Sequence, residues 1–376
     1  MDRECMNVVY ASNDGYARHL GTSLYSLLDR NRDFAEIAVY VLTLGLSEEN
    51  QGKLREIAEH FGRKLVFLNL DDLRERIGYE VDTGGFDISV MLRLFMGDML
   101  PESVERVLYL DCDTVVLQSL KHLWKENLEG KIVGAVMEPT IYQAVKESIG
   151  LGEDDPYYNS GVLLTDLKQW REQEVQKKLL DFWKSKGGKL FASDQDVING
   201  TLKGQIHTLM PRYNFFTNYR YFSYRELTHL GKTYKAVTPR ELQIAKRHPS
   251  IIHYMGDERP WIAGNLNHYR RAYEKYLAMT PWNGAKKQGG KRLYMLLYHG
   301  MDYLTVVCPA LRWEISRRLG IKVVDARKQG GKAAKAAGTT AGTTAGTAAG
   351  TAAGTVAGTA AGTTAGTVEH VGEKQS

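Results

Sequence analysis

The first 110 residues alternate between short apolar runs of strand length and longer segments with helical spacing. Short apolar strands separated by helices of ten or more residues are typical of a mostly parallel sheet flanked by helices. The sequence therefore predicts an α/β fold in which ligands bind beyond the carboxyl ends of the strands. The predicted strands are 6–11, 37–42, 65–68 and 106–110, and the predicted helices are 16–28, 47–60 and 89–99.

Composition excludes several other classes of protein. The 376 residues are 43% hydrophobic, which is enough to build a sizeable core. The three cysteines, Cys5, Cys112 and Cys308, are too scattered for a disulfide framework or a zinc knuckle, which favours a reducing compartment. The first residues lack the apolar core of a secretory signal, and no apolar run reaches a membrane-spanning length. We therefore expect a cytoplasmic protein.

Positive charge is concentrated near the C-terminus. Residues 286–335 contain twelve Lys and Arg against three acidic residues, whereas the whole chain carries a net charge of +5. Because a nucleic-acid binder would spread such charge over its folded body, we expect no nucleic-acid partner. In segment 291–322, basic residues bracket apolar and aromatic ones, which predicts helices lying on an anionic membrane surface. The alternative is that this segment packs on the rest of the protein.

The C-terminal tail is a tetrapeptide repeat. Residues 337–368 consist of eight units that begin Ala-Gly-Thr and contain no charged or aromatic residue. Such a segment has little apolar surface to offset the entropy of ordering it. We therefore predict that the tail is disordered.

Two pairs of acidic residues stand at positions where chemistry is expected. Asp111 and Asp113 follow a wholly apolar strand, and in extended chain both carboxylates point to the same side while Cys112 points away. Two such carboxylates can face one hard cation. Asp194 and Asp196 precede an apolar helical segment, so the alternative for that pair is an ordinary helix cap.

Two further motifs accompany these pairs. Residues 157–161 read YYNSG and introduce an apolar strand with Asn159 and Ser160. Residues 253–261 read HYMGDERPW and supply an imidazole, a glycine and a guanidinium directly after a strand. Between them, segment 213–224 contains seven aromatic residues, which predicts either a lid over a sugar acceptor or the packing of a helical subdomain.

In this order, the four motifs resemble retaining glycosyltransferase family 8, which includes bacterial lipopolysaccharide galactosyl- and glucosyltransferases and glycogenin. Residues 10–16 and 89–94 also match the family in place. The resemblance implies a GT-A fold, a Rossmann-like sheet flanked by helices, as a catalytic domain over residues 6–283. A basic amphipathic helical segment would follow at 284–325, and the disordered tail would occupy 326–376.

The resemblance also assigns roles by position. Asp111, Asp113 and His253 would bind one divalent ion, Mn²⁺ or Mg²⁺, that also holds the donor diphosphate. The residues implied to surround the transferred hexose, and to be catalytic, are Asn159, Asp194 and Gln195, with Gln195 beneath the anomeric carbon. The residues implied to bind the UDP-sugar are Ala11, Asn13, Asp14, Arg93, Asp111, Cys112, Asp113, Gly256 and Arg259.

The implied activity is metal-dependent, retaining transfer of glucose or galactose from a UDP-sugar to a saccharide or glycolipid acceptor. Such an acceptor would be a lipid-linked or surface glycan such as lipopolysaccharide, which is consistent with a peripheral position on the inner face of the membrane. Two residues depart from the family pattern, because Arg259 stands where Lys is usual and Ser160 where Ala is common. The alternatives are a sugar-nucleotide nucleotidyltransferase and a non-catalytic sugar-nucleotide-binding adaptor. A nucleotidyltransferase would have a Gly-rich phosphate loop after its first strand, and this sequence lacks that loop.

Overall fold

The structure, a computed structural model, describes residues 5–83, 87–289 and 292–312, together with 314, 315 and 318. The strands within these residues are β1 (Cys5–Asn13), β2 (Glu36–Leu44), β3 (Lys64–Asn69), β4 (Arg106–Leu110), β5 (Thr114–Val116), β6 (Val133–Met137), β7 (Tyr158–Asp166), β8 (Ile206–Thr208), β9 (Phe215–Phe216) and β10 (Ile251–His253).

Helices connect and flank these strands. The α-helices are α1 (Ala17–Arg30), α2 (Glu48–His60), α3 (Leu73–Ile77), α4 (Met96–Met99), α5 (Lys121–Trp124), α6 (Gln143–Ser148), α7 (Leu167–Glu172), α8 (Val175–Ser185), α9 (Asp194–Thr201), α10 (Tyr224–Leu230), α11 (Pro239–Arg247), α12 (Arg270–Leu277) and α13 (Arg292–Val307). Short 3-10 helices cover Asp14–Tyr16, Ile88–Phe95, Pro211–Asn214, Thr217–Arg220 and Lys232–Ala236.

The main sheet has the order β3-β2-β1-β4-β7-β6-β8, and a smaller sheet has the order β5-β10-β9. The first four strands of the main sheet are mutually parallel, whereas β7 runs antiparallel to both of its neighbours, β4 and β6. The pairs Leu110↔Val162 and Met137↔Tyr158 therefore bring the beginning of β7 beside the ends of β4 and β6. The Asp111 and YYNSG motifs therefore lie side by side at this edge of the sheet. The predicted α/β class, with a mostly parallel central sheet, is confirmed.

Local sequence explains several element boundaries. Ser47 begins α2 because its hydroxyl accepts a hydrogen bond from the Asn50 backbone N–H. The predicted apolar face of α1 is buried, and each such leucine contributes roughly 1.5–3 kcal/mol of transfer free energy. The segment predicted as a helix at 89–99 is instead a 3-10 helix that continues into the single turn of α4. Asp87 starts it by accepting a hydrogen bond from the Ser89 N–H.

Helix α13 has one buried face and one exposed apolar face. One face is buried against the rest of the protein, through Met295, Tyr298, His299, Asp302 and Thr305. The other face is exposed and carries Leu293, Leu296, Tyr303, Val306 and Val307. The described part of the chain contains no helix whose length and apolar character would let it cross a bilayer. The repeat at 337–368 lies outside the described residues, as does most of the chain after residue 312.

Candidate active site

Three potential metal ligands from two distant parts of the chain meet at the edge of the sheet. Asp111 follows β4, Asp113 precedes β5, and His253 ends β10, which pairs with β5 so that His253 lies opposite Thr114. One ligand atom from each of the three side chains falls within 4.8 Å of the others. His253 Nε2 lies 3.1 Å from Asp113 Oδ1 and 3.7 Å from Asp111 Oδ2, and all three residues are buried.

The unsatisfied atoms of this group fit a cation. Among the described residues, neither Asp111 Oδ2 nor His253 Nε2 has a hydrogen-bond partner, although both atoms are buried. Burying a polar atom costs free energy unless a hydrogen bond or a bound ion compensates for the lost water. Two carboxylates and one imidazole form a donor set that suits a divalent ion such as Mn²⁺.

A second layer of polar contacts orients His253. Its Nδ1 lies 2.9 Å from Asn214 Oδ1, and the Asn214 amide group donates in turn to Asn159 Oδ1 at 2.8 Å. With Nδ1–H donating to that amide oxygen, Nε2 keeps its lone pair free for a metal, which is the usual arrangement for a histidine ligand. Sequence reasoning missed Asn214, which links the predicted metal group to the predicted sugar group.

Gly161 makes room for this arrangement. A Cβ at residue 161 would lie 2.8 Å from Asp111 Oδ2 and 2.8 Å from His253 Nδ1, closer than real Cβ contacts come. The Gly161 carbonyl also accepts the Asp111 backbone N–H at 2.8 Å. The glycine of the YYNSG motif is therefore required by the close approach of β7 to the three potential ligands.

Arg93 joins the two acidic motifs. Its guanidinium donates to Asp111 Oδ1 at 2.8 Å, lies 3.1 Å from Asp194 Oδ2, and donates to the Ser160 carbonyl at 2.8 Å. Burial alone would lower the pKa of Arg93, but the carboxylates of Asp111 and Asp194 raise it, so the side chain is cationic. Burial raises the pKa of Asp194 to about 6 against the opposing charge of Arg93.

Asn159 and Gln195 share one hydrogen-bond network. The Gln195 oxygen accepts from Asn159 Nδ2 at 2.9 Å and from the Ser160 N–H at 3.1 Å. Both side-chain amide groups donate to Glu138 Oε2, at 3.0 Å from Asn159 and 3.1 Å from Gln195. Sequence reasoning missed Glu138, which directly follows β6. The signal was the same as for Asp111, a carboxylate at the end of a wholly buried strand.

The beginning of α9 does not follow the pattern of an ordinary helix cap. Ser193 occupies the cap position with a φ of 50°, and its hydroxyl donates to the Thr83 carbonyl instead of accepting from the helix. Asp196 has a structural role, because its carboxylate accepts from the Ala192 N–H at 2.7 Å and from the Tyr157 hydroxyl at 2.6 Å. The strained backbone at Ser193 places Asp194 and Gln195 beside Ser160.

A cleft at the ends of β1 and β4 is lined by two of the three potential ligands, Asp111 and Asp113. Most of the residues predicted to bind the donor nucleotide line it, as do several that the sequence analysis did not single out. The lining residues are Ala11, Ser12, Asn13, Tyr16, Asp87, Ser89, Val90, Arg93, Asp111, Cys112 and Asp113. Asp14 does not line this cleft. Its carboxylate accepts from the Ser47 N–H and from Asn50 Nδ2 at the start of α2, because the 3-10 turn at Asp14–Tyr16 directs it outward.

The loop after His253 lies on the Tyr16 side of this cleft. Gly256 adopts a φ of 59°, which favours glycine, and Arg259 is buried with its guanidinium carbon 5.9 Å from the centre of the Trp261 ring. Burial raises the pKa of Tyr16 to about 12, and the nearby charge of Arg259 opposes that rise. The Trp261 and His19 ring centres lie 3.9 Å apart, and those of His19 and Tyr16 lie 5.3 Å apart. The loop is therefore near the cleft, although neither Gly256 nor Arg259 lines it.

The aromatic segment 213–224 belongs mainly to the core. Most of its rings are buried, namely those of Tyr213, Phe215, Phe216, Tyr219 and Phe222. This placement favours packing, the alternative to an acceptor lid. Tyr221 and Tyr224 are the half-buried members of the segment.

Comparison with known proteins identifies the family. The model of glycosyl transferase family 8 matches residues 7–264, which is more than half of the chain. This chain belongs to glycosyltransferase family 8. General stress protein A of Bacillus subtilis is 29% identical to it over 283 residues, which cover 74% of this chain and 96% of that protein. The lipopolysaccharide 1,2-glucosyltransferase of Escherichia coli is 26% identical over 292 residues, covering 77% and 82%.

A solved structure of a similar protein agrees with the fold. The galactosyltransferase LgtC, in complex with donor and acceptor sugar analogs, is 26% identical and superimposes with a TM-score of 0.63. The match covers 73% of this chain and 96% of LgtC. Family 8 membership and this likeness confirm the resemblance and the GT-A type of fold. They also favour a glycosyltransferase over the nucleotidyltransferase and the adaptor considered above.

Proposed function

We propose that this family 8 glycosyltransferase transfers glucose or galactose from a UDP-sugar to a saccharide acceptor, with retention of configuration and with a divalent cation. The observation that carries the proposal is the convergence of Asp111, Asp113 and His253 beside a cleft at the end of β1. The lipopolysaccharide glucosyltransferase among the relatives supports a lipid-linked or surface glycan as the acceptor.

Different residues of the chain would take different roles in the reaction. Asp111, Asp113 and His253 would hold Mn²⁺ or Mg²⁺, which supplies charge stabilisation to the diphosphate leaving group. Arg259 would place a second positive charge beside the diphosphate. Arg93 would hold the carboxylates of Asp111 and Asp194 in place. Cleavage at the anomeric carbon then needs no strong base on the protein.

The sugar group supports retention by front-face displacement. In that route the departing phosphate oxygen accepts the proton of the acceptor hydroxyl as the new glycosidic bond forms. The alternative, a covalent glycosyl-enzyme, needs a nucleophile beneath the sugar. Gln195 is an amide and therefore a poor nucleophile, and its amide group is already held by Asn159, Ser160 and Glu138.

The test is a panel of UDP-sugars with the full chain, in which UDP release is measured with Mn²⁺, with Mg²⁺ and with EDTA. We expect release from UDP-glucose or UDP-galactose that depends on the metal and increases with a saccharide acceptor. An Asp113→Asn variant is the matched control and should lose the metal-dependent release. Release that EDTA leaves unchanged, or no release from any UDP-sugar, would contradict the proposal.

We further propose that residues 6–283 form the catalytic domain and that the C-terminal segment 284–325 attaches it to the anionic inner face of the cytoplasmic membrane. Support comes from the exposed apolar face of α13 and from the excess of Lys and Arg in residues 286–335. Apolar side chains flanked by cations bind anionic bilayers through both burial and charge attraction.

Flotation of the full chain on liposomes tests this attachment. We expect binding to anionic but not to neutral vesicles, and loss of binding when Leu293, Leu296 and Val306 are all replaced by Ser. Met279→Ser is the control, because Met279 is an exposed apolar residue just after α12. Equal partition of the triple variant and the unaltered chain would contradict the proposed membrane attachment.

A further inference from the structure

Helix α13 contacts the loop that follows His253. The Tyr294 hydroxyl donates to Asp257 Oδ2 at 2.6 Å, and the Tyr298 hydroxyl donates to Glu258 Oε1 at 2.9 Å. Asp257 and Glu258 lie between Gly256 and Arg259, the two residues of this loop that are expected to face the donor diphosphate. The helix therefore contacts the centre of the loop directly.

His299 contacts the same connection between β10 and α12, but nearer to α12. Its Nε2 accepts the Leu266 backbone N–H at 2.8 Å, and its Nδ1 lies 2.9 Å from Asp302 Oδ2. These two contacts define a neutral tautomer in which Nδ1–H donates to Asp302, and burial lowers the pKa of His299 in agreement with that state. Helix α13 is thus attached to the loop at residues 257–258 and again at residue 266.

Glu258 is the central acceptor of this interface. Its side chain is buried, and Oε2 accepts hydrogen bonds from the Thr217 hydroxyl at 3.1 Å and from the Asn267 amide group. Glu258, His299 and Asp302 also lie close enough to share a cation. However, both ring nitrogens of His299 are already engaged in hydrogen bonds, so the contacts support an interface between helix and loop and not a second metal site.

Helix α13 lies outside the segment that matches the family model. The match to the family 8 model ends at residue 264, before α13 begins at Arg292. Gly256 and Gly264 both adopt positive φ angles, of 59° and 87°, so the loop contains two positions of high backbone freedom. A loop of this kind loses conformational entropy when it is ordered, and a partner that orders it beforehand removes that cost from ligand binding.

We propose that α13 holds the 256–261 loop in its donor-binding conformation, with Tyr298 and His299 as positioning residues for Gly256 and Arg259. This inference rests on the proposed function, because it assumes that the loop contacts the donor diphosphate. Its consequence is specific: loss of a contact between α13 and the loop weakens donor binding and leaves the chemical step nearly unchanged.

The test compares Tyr298→Phe with Tyr303→Phe in the full chain. Both substitutions remove one hydroxyl from α13. Tyr298 is buried and its hydroxyl donates to Glu258, whereas Tyr303 is about two-thirds exposed. We expect Tyr298→Phe to raise KM for the UDP-hexose roughly tenfold, since it leaves a buried acceptor short of a donor, with kcat changed less than twofold. Tyr303→Phe should leave both constants unchanged. An unchanged KM in Tyr298→Phe, or a loss confined to kcat, would overturn the inference.

Hydrogen–deuterium exchange of the same variants gives a readout that does not depend on turnover. Amides of residues 254–266 should exchange faster in Tyr298→Phe than in the unaltered chain, while those of β1 to β4 should not change. Equal protection of the loop would also overturn the inference. If Tyr298→Phe fails to fold, Tyr294→Phe removes the contact with Asp257 and is measured in its place. Failure of the unaltered chain to release UDP would contradict the proposed function alone, since the exchange result stands without it.

Discussion

The absence of a side chain at Gly161 determines how closely the sheet edge can hold Asp111 and His253. Strand β7 passes so near these two residues that any Cβ would enter their contact distance. The polar groups of the site are therefore positioned by backbone as well as by side chains. Substitution of this one glycine tests the geometry without removing any potential ligand.

Gly161→Ala is expected to abolish Mn²⁺ binding or to weaken it at least about tenfold, because Asp111 and His253 must move apart to admit the methyl group. Isothermal titration with Mn²⁺ measures the effect. Gly52→Ala is the matched control, since Gly52 lies in α2 with open space around it and should be neutral or stabilising by about 0.5–1 kcal/mol. Unaltered Mn²⁺ affinity in Gly161→Ala would show that the three residues do not bind the ion together.

Gln195→Ala is expected to reduce turnover without abolishing it. The substitution removes an amide that contacts Asn159, Ser160 and Glu138, and the loss of such buried contacts costs about 1–3 kcal/mol, or roughly 5- to 150-fold in rate. Steady-state UDP release measures kcat. Complete loss of activity together with a glycosyl-enzyme trapped in mass spectrometry would instead support the covalent route.

Residues of the site were predictable where a local signal existed. Asp111 and Asp113 follow an apolar strand, and His253 ends another, so each could be identified before the structure brought the three together. Glu138 carried the same signal and was missed. Asn214 carried none, since its partners His253 and Asn159 are 39 and 55 positions away and only the fold makes them neighbours.

At the scale of elements, apolar runs predicted the strands β1 to β4, which helices cover on both faces, and apolar residues at helical spacing predicted α1 and α2, which bury one face. They did not predict the direction of β7. Its apolar run would serve equally well in a parallel or an antiparallel pair, and the choice depends on the long connection that precedes it. Likewise, they did not predict the 3-10 geometry of Ile88–Phe95, the segment that carries the buried Arg93.

The docking of α13 is expected to weaken as the pH rises. Burial raises the pKa of Glu258 to about 8, with Asp302 adding to the rise while His299, Tyr298 and Thr217 oppose it. Burial also raises the pKa of Asp302 to about 7 against the charge of Arg312. Both groups hold protons in the folded state that they would release on undocking, so their contribution is complete below about pH 4 and is lost through pH 7–8.

Protection factors of the amides in residues 292–307, compared at pH 6 and pH 8.5, measure this effect. We expect lower protection at the higher pH, and Glu258→Gln should remove much of the difference because its amide does not titrate. Protection factors that rise between pH 6 and pH 8.5 would contradict the assigned direction.

For the whole molecule, a divalent cation is expected to raise the melting temperature. A ligand at one hundred times its Kd stabilises the folded state by about 2.7 kcal/mol, which corresponds to roughly 5 °C for a domain of this size. Differential scanning fluorimetry of the full chain with Mn²⁺ and with excess EDTA measures the shift. Asp111→Asn should show no shift, and an equal shift in that variant would place the ion elsewhere.

Strand β7 enters the sheet at the edge where β4 and β6 leave it. Of the two connections of β7, the one that lies at this edge is therefore the one before it, residues 138–157. The first residue of that stretch, Glu138, accepts hydrogen bonds from Asn159 and Gln195, so its side chain belongs to the network beside β7. A library that varies this connection should therefore keep Glu138 and begin after it.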